Sequence, residues 1–533
     1  MDKNRTIAEA VAMKDGKIIA VGSDQEIKNH AGAHTQLIDL LGKLVIPGLN
    51  DSHIHLSTEA SQVYDVSLGD ARSIADVVQS IAKRVNETSR GEWVFGKCDW
   101  HEGALKEGRL PNRFDLDPVS PDHPVLIRRG GHVATVNSAA LERAGITNET
   151  PDPLGGVIVK DASGHPIGIL FGQPAVQLVA KKIPGKSLVE KAGDLRAIMH
   201  KLNQYGITSV TDPRVNDEEI EVYREVWKNE EMTVRATVLR LVEDIEDVKA
   251  ATSNYSQGEG DDFFTIGGLK YFSDGGIENA YMKDPYEIVP REQEDPEFRG
   301  ELRVPSGGMK ELEDMFTLIA ENGWSVGVHA VGDAANEVMV NLYAKVNEKI
   351  PIKDLRWVIM HLFLPKDEHL QMMKQIGIMG TIQDQPLLLG HNQRRFHGEK
   401  RAHDSIPLRK LVDSGIAFGG GTDAPILPAN PFLSLWWMVT RNTLTAGVLG
   451  KEHAITREEA LYLYTMGSAV TQFKEDKVGS IEPGKLADLA VLSQDYFEVE
   501  EDAIKDLKTV LTIVDGKIVY RDPAFQLDPV GLS

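Results

Sequence analysis

Eight short β-prone runs recur along the chain, each ending in polar residues, with segments of helical apolar spacing such as SLVEKAGDLRAIMHKLNQYG between them. In order they are LVIPGLNDSHIHL, GITSVTD, MTVRATVLRLVE, TIGGLKYFSDG, WSVGVHAVGD, RWVIMHLFLP, GIMGTIQDQP and GIAFGGGTDAP. Eight buried strands that alternate with helices predict an α/β fold, a (β/α)8 TIM barrel, whose active site gathers at the C-terminal ends of the strands. The polar residues occupy those ends.

The two ends of the chain share one local design. Near the start, an Asp15-Gly16 pair separates two β-prone runs, and an Asp515-Gly516 pair does the same near the end. Asp-Gly between such runs is a strong hairpin signal. We expect the two hairpins to belong to one small β domain, formed by residues 1–46 and 472–533, with a barrel over residues 47–471 inserted between them.

One interval between the predicted barrel strands is much longer than the others. About 150 residues separate Leu56 from Gly206, at the start of the second run, which far exceeds an ordinary βα loop. A large insertion after the first strand, over about residues 57–190, is therefore predicted to form a cap or subdomain over the barrel mouth. It contains the β-like pieces EWVFGKCDW, HPVLIRRGGHVATV and GGVIVKD.

Composition excludes several kinds of partner. The 58 Lys and Arg residues against 80 Asp and Glu residues give a net charge of −22, which argues against a nucleic-acid partner. The single cysteine, Cys98, forms no internal disulfide, and the first residues lack the apolar core of a secretory signal, so we expect a cytoplasmic location. No run approaches the 18 apolar residues of a membrane-spanning helix, so no membrane partner is expected.

Histidines and an aspartate at the strand ends predict a metal centre. His53 and His55 are two residues apart, so both project from one face of an extended chain. A pair of histidines with this spacing is, by itself, more often structural than metal-binding. His329 ends the fifth strand, His361 the sixth and Asp423 the eighth, and together these five residues offer the imidazole and carboxylate ligands that divalent metals use.

The fourth run places Lys270 between apolar and aromatic residues, in GGLKYF. One interpretation is a lysine whose stem is buried while its ammonium reaches solvent. The other is a lysine of lowered pKa that reacts with carbon dioxide to form a carbamate, whose two oxygens can bridge two divalent ions.

The motifs VIPGLNDSHIHL, EWVFGKCDW, GGHVATVNSAAL, KYFSDGG, VGVHAVGDAAN, GGGTDAP and VGSIEPGKLADLAVL carry a resemblance over nearly the whole length. The chain resembles the metal-dependent amidohydrolase superfamily, in the amidohydrolase family 3 branch with YtcJ-like and N-substituted formamide deformylase-like proteins. The resemblance implies a barrel with a mononuclear or binuclear metal centre and a small β-sandwich built from both chain ends.

The resemblance also implies roles for individual residues. The metal ligands that it implies are His53, His55, Lys270, His329, His361 and Asp423. A metal-activated hydroxide attacks the carbonyl, and Asp423 takes its proton and later delivers it to the leaving nitrogen. Related branches use a cysteine or a glutamate as the bridge, so the carbamate on Lys270 remains one of several possibilities.

Four further residues are assigned to catalysis or substrate binding. His132, in the insertion, is expected to polarise the substrate as a catalytic and binding group, with a structural histidine as the alternative. Asp274 lies in a family-like segment, although Asp-Gly also simply makes turns. Gln173 and Met360 stand where the resemblance leads us to expect carboxylates, which predicts an altered substrate pocket around intact ligands.

The sequence therefore predicts a metal-dependent amidohydrolase that cleaves a C–N bond of a small amide, N-substituted formamide or related substrate. The expected cofactor is Zn²⁺, as one or two ions, and the expected assembly is a homodimer. Two alternatives remain open: the same centre used for ester hydrolysis, deamination or isomerisation, or a catalytically silent regulatory or binding protein.

Overall fold

The computed structural model describes residues 6–290 and 295–526. The parts of the predicted β domain at 1–5 and 527–533 lie outside the described residues. Contacts divide the chain into two compact units. The first contains the residues up to Ser57, Leu195–Thr422 and the residues from Asn430 onward, and the second contains Thr58–Asp194 and Asp423–Ala429.

The strands of the described residues are β1 (Ala10–Lys14), β2 (Lys17–Gly22), β3 (Val45–Pro47), β4 (Leu49–Asp51), β5 (Val94–Gly96), β6 (Val125–Arg129), β7 (Val133–Val136), β8 (Val157–Lys160), β9 (Pro166–Phe171), β10 (Ile207–Val215), β11 (Arg235–Leu241), β12 (Phe264–Phe272), β13 (Val326–Ala330), β14 (Val358–His361), β15 (Met379–Gln383), β16 (Phe418–Gly421), β17 (Leu489–Leu492), β18 (Thr509–Val514) and β19 (Lys517–Arg521). The α-helices are α1 (Asp24–Lys28), α2 (Leu56–Ser61), α3 (Ile74–Glu87), α4 (Arg113–Leu116), α5 (Ser138–Ala144), α6 (Gln173–Ala180), α7 (Leu188–Asn203), α8 (Asp217–Lys228), α9 (Ile245–Asn254), α10 (Gly308–Glu321), α11 (Asp333–Asn347), α12 (Asp367–Ile376), α13 (Gln385–His397), α14 (Glu399–His403), α15 (Leu408–Ser414), α16 (Pro431–Thr440), α17 (Arg457–Tyr462) and α18 (Ser468–Thr471).

The first unit contains an eight-stranded parallel sheet in the order β4-β10-β11-β12-β13-β14-β15-β16. Each of the eight runs singled out in the sequence supplies one of these strands, so the predicted barrel is confirmed. The first and last strands approach each other, because the Ser52 N–H donates to the Gly420 carbonyl at 3.0 Å. The sheet is thus nearly closed into a barrel.

The helices between the barrel strands follow from local sequence signals, as α8 shows. Asn216 caps its first turn in a capping box with Glu219, which satisfies backbone N–H groups that have no partner inside the helix. Ile220, Tyr223 and Val226 follow at helical spacing and are buried. An amphipathic helix of this kind covers the sheet with its apolar face and completes one β/α repeat.

The two chain ends form the predicted β-sandwich, which lies within the first unit. β1 and β2 pair around Asp15-Gly16, and β18 and β19 pair around Asp515-Gly516. All four turn residues have positive φ, as type I′ turns require. The sheet β19-β18-β17-β3 joins strands from both ends, and residues of β1 pack against the cluster that lines it.

The second unit has its own five-stranded sheet, in the order β5-β6-β7-β9-β8. Strand β6 shows how it is covered. Val125 and Ile127 belong to one buried cluster, while Leu126, which points to the opposite face, belongs to another. The sheet is therefore packed on both faces. The three β-like pieces predicted within the insertion correspond to β5, to β6 with β7, and to β8.

Candidate metal centre

The chain turns sharply after β4, and Asp51 fixes this turn. Its carboxylate accepts hydrogen bonds from the backbone N–H of His53 at 3.0 Å, from the Thr422 N–H at 3.1 Å and from the Thr422 hydroxyl at 2.7 Å. The first and eighth strand ends are thereby tied together by a buried carboxylate. This tie sets the position of His53 on one side and of the chain entering residue 423 on the other.

His53, His55 and Asp423 come together at these strand ends. Potential ligand atoms of the three side chains all lie within 4.8 Å of one another. His53 is 1% exposed and Asp423 is 5% exposed. Asp423 has a φ of 59°, in the left-handed region that non-glycine residues adopt uncommonly. The assignment of these three residues as metal ligands stays a prediction.

The rings of His361 and His329 extend the cluster. The ring centroids of His53 and His361 are 4.8 Å apart, and those of His329 and His361 are 4.5 Å apart. His361 also has a left-handed backbone, with a φ of 82°. Its Nδ1 lies 3.1 Å from the Gln385 Nε2, which donates to it because an amide NH2 group cannot accept. Four imidazoles thus adjoin one another at the strand ends.

Asp274 and Gly275 position His329. The His329 Nε2 lies 3.1 Å from the Gly275 carbonyl, to which it donates, and this leaves Nδ1 with the lone pair that a metal needs. The Asp274 carboxylate is fully buried and accepts the backbone N–H groups of Tyr281, Val331 and Gly332. Burial raises the pKa of Asp274 to about 7. Because these three hydrogen bonds already occupy its carboxylate, Asp274 is better placed to position His329 than to make the predicted contact with substrate.

Lys270 and Met360 meet inside the barrel. The Lys270 Nζ lies 2.7 Å from the Met360 Sδ and 4.7 Å from the centroid of the Phe272 ring. Lys270 is 0% exposed, so the alternative in which its ammonium reaches solvent is wrong. Met360 is buried too. The resemblance implied a carboxylate at position 360, but Lys270 contacts a neutral thioether there.

This donor set fits a divalent metal ion. Imidazole nitrogen and carboxylate oxygen are ligands of zinc and other first-row ions, at about 2.0 to 2.2 Å from zinc. Two ligands of one ion are therefore at most about 4.4 Å apart. The ligand atoms of His53, His55 and Asp423 lie within 4.8 Å of one another, which is close to this separation.

Comparison with known proteins agrees with the fold and the donor set. The model of the amidohydrolase family matches residues 36–520. The chain belongs to the amidohydrolase family. It is therefore a hydrolase that acts on carbon–nitrogen bonds, and the predicted family is confirmed.

Individual relatives match this amidohydrolase along almost their whole length. YtcJ of Bacillus subtilis is 30% identical over 96% of each chain. The N-substituted formamide deformylase of Arthrobacter pascens is 27% identical over 98% of this chain and 96% of its own. Among solved structures, an uncharacterized metal-dependent hydrolase from Pyrococcus horikoshii OT3 has a TM-score of 0.72 at 25% identity, covering 92% of this chain and 95% of the other.

Asp212 is a buried carboxylate of this amidohydrolase that the sequence analysis did not single out. Its Oδ2 accepts the Ser57 N–H and hydroxyl, both at 2.8 Å, and the Tyr223 hydroxyl at 2.9 Å. Burial raises the pKa of Asp212, and the neighbouring His55 acts in the opposite direction. Asp212 thus holds the chain segment that follows His55. The sequence feature that could have identified Asp212 is its position at the end of the β-prone run GITSVTD.

His132 and Gln173 of the amidohydrolase lie together in the second unit. The His132 carbonyl accepts the Gly172 N–H at 2.8 Å, and the Gln173 side-chain amide donates to the Gly131 carbonyl. Both residues are exposed, at the ends of the neighbouring strands β7 and β9. Their predicted roles toward the substrate stay predictions.

Among the described residues, the amidohydrolase has no helix that is both long and apolar enough to cross a membrane.

Proposed function

We propose that this amidohydrolase cleaves the carbon–nitrogen bond of a small N-substituted formamide or a closely related amide in a metal-dependent reaction. The observation that carries the proposal is the convergence of His53, His55 and Asp423, whose potential ligand atoms lie within 4.8 Å of one another. The similarity to an N-substituted formamide deformylase over 98% of the chain supports the choice of substrate.

His53, His55 and Asp423 would hold one divalent ion, with zinc as the first choice for this donor set. His329 and His361 would hold a second, with a carbamate on Lys270 as the bridge. When bound, the metal polarises the substrate carbonyl and lowers the pKa of a coordinated water toward about 7.

Asp423 is the proton carrier in this proposal. Its carboxylate is nearly enclosed, at 5% exposure, and its backbone is held in the left-handed region. It accepts the proton of the attacking water and returns that proton to the leaving nitrogen, which departs as a neutral amine. The Asp51 tie to Thr422 supports this function, because it fixes the residue that precedes Asp423.

A carbamate on Lys270 is the bridge in this proposal. The Lys270 Nζ is buried inside the barrel and lies 2.7 Å from the Met360 Sδ. Carbon dioxide adds to an uncharged lysine amine, and the carbamate that forms would supply two oxygens for the proposed pair of ions.

Removal of the histidine pair tests the proposal. The variants His53→Ala and His55→Ala should each lose bound metal, measured by elemental analysis, together with hydrolysis of an N-substituted formamide. His165→Ala is the matched control, because His165 is an exposed histidine of the second unit. Full metal content and full turnover in both site variants would contradict the proposal.

A further inference from the structure

The carboxamide of Gln383 is enclosed without a hydrogen-bond partner. Gln383 is the last residue of β15 and is 0% exposed. Neither its Oε1 nor its Nε2 has a partner among the described residues. Most buried polar groups in proteins are paired, so an unpaired carboxamide needs an explanation, and a bound molecule that completes the pairing is one.

The strand register shows that Gln383 faces the inside of the barrel. His329, Met360 and Thr381 are paired in register across β13, β14 and β15. Met360 points inward, because its Sδ contacts the Nζ of Lys270. Side chains two residues apart share one face of a strand, so Gln383 is the next inward position after Thr381, toward the C-terminal ends.

This position places Gln383 at the C-terminal end of a barrel strand. The C-terminal ends of the barrel strands carry His329 and His361, and the reacting group of a substrate lies at the same face. Gln385, two residues further on, already binds the His361 ring. Gln383 extends the same chain segment toward the barrel axis.

A carboxamide selects a complementary group. Its oxygen accepts an N–H, and its nitrogen donates to a carbonyl. An amide presents N–H and C=O side by side only in its cis form, and the small formyl hydrogen makes that form more accessible than a larger acyl group does. An ester or an N,N-disubstituted amide has no N–H to offer.

We propose that Gln383 is a specificity-determining residue that binds the scissile amide, with Oε1 accepting the substrate N–H and Nε2 donating to the acyl oxygen. It thereby selects N-monosubstituted formamides over formate esters and over N,N-disubstituted formamides. This inference rests on the proposed function and names the substrate class of the same site. A site with buried polar groups rejects an analogue that leaves them unpaired.

The test compares kcat/KM for three matched substrates: an N-monosubstituted formamide, its N,N-disubstituted analogue and the corresponding formate ester. Gln383→Met keeps the length of the side chain and removes its hydrogen bonds. We expect the preference for the monosubstituted formamide over the other two to fall about 10- to 100-fold, as expected for the loss of buried hydrogen bonds. Metal content, measured on the same samples, should not change.

Two further variants sharpen the test. Thr509→Val is the matched control and should keep the wild-type preference, because the Thr509 hydroxyl is also buried without a partner among the described residues but lies in β18, outside the barrel strands. Gln383→Glu retains the acceptor and loses the donor, so it should show an intermediate preference, and it replaces Gln383→Met if that variant fails to fold. An unchanged preference in a folded, metal-loaded Gln383 variant would overturn the inference and leave the proposed function standing. Wild-type enzyme that cleaves none of the three substrates would instead reject the proposed function, and the inference with it.

Discussion

The Nζ of Lys270 lies 2.7 Å from the Sδ of Met360, inside the barrel of this amidohydrolase. Both side chains are buried, and Lys270 has no exposed surface. The pair therefore bears directly on whether Lys270 carries the proposed carbamate and on how many metal ions the proposed centre holds.

Replacement of Lys270 should change the metal stoichiometry. Lys270→Met removes the amine and preserves most of the side-chain volume, so we expect bound metal to fall from about two ions per chain to about one. Elemental analysis of the purified protein measures this. Met360→Leu is the matched control and should retain both ions. An equal metal content in Lys270→Met and wild-type protein would exclude a bridging role for Lys270.

Asp423→Asn should separate proton transfer from metal binding. An asparagine keeps the shape and one oxygen but cannot accept a proton at neutral pH. We expect kcat to fall by about 10²- to 10⁴-fold, the usual contribution of a general acid–base group, while most of the metal is retained. Kinetic assays check the expected fall in kcat, and elemental analysis of the same preparation checks that the metal is retained. A fully active Asp423→Asn enzyme would rule out the proton-carrier role.

The Asp51 tie between the first and eighth strands should contribute to stability. Thr422→Val removes the hydroxyl that donates to the Asp51 carboxylate at 2.7 Å. Loss of a buried hydrogen bond to a charged group should lower the free energy of unfolding by about 1.5 to 3 kcal/mol, measured by denaturant titration.

Thr509→Val provides the control for that measurement. The Thr509 hydroxyl is buried but has no hydrogen-bond partner among the described residues, so its removal should cost little or no stability. Equal destabilisation by Thr422→Val and Thr509→Val would show that the Asp51 contact contributes nothing specific.

His397 should make stability depend on pH. Burial lowers the pKa of His397 to about 4, and its Nε2 donates to the Ile277 carbonyl at 2.8 Å. Since the unfolded chain binds a proton near pH 6.5 and the folded chain does not, stability is lost as the pH falls from about 6.5 to about 4. The loss is on the order of 3 kcal/mol.

His397→Gln, which keeps a donor for Ile277 but does not titrate, should remove this part of the acid sensitivity. This difference in acid sensitivity is measured from the thermal unfolding midpoints of the variant and the wild type between pH 4 and pH 7. Parallel pH profiles for the two proteins would show that His397 does not titrate on unfolding in this range.

Local patterns allowed much of the fold to be predicted. The eight barrel strands were identifiable because each run is β-prone and ends in polar residues, and both terminal hairpins because Asp-Gly favours a two-residue turn. The histidines and Asp423 were identifiable because metal-ligand residue types stand at strand ends, where a barrel brings them together.

Residues that act through distant partners were not identifiable in this way. Asp51 reaches Thr422, which is 371 positions away, and no local pattern marks that contact. The burial of Asp212 and Asp274, and the unpaired carboxamide of Gln383, likewise depend on packing between elements that are far apart in sequence. The sequence indicated the candidate ligands, whereas the residues that hold these side chains in place could be found only from the fold.

The most direct measurement is hydrolysis of an N-substituted formamide by native, chelator-treated and metal-reconstituted protein. The account predicts turnover in the native protein, its loss after chelation and its recovery with zinc or another divalent ion, with little hydrolysis of the matching ester. Turnover that survives complete metal removal, or metal-replete protein that hydrolyses no amide, would contradict the central claim.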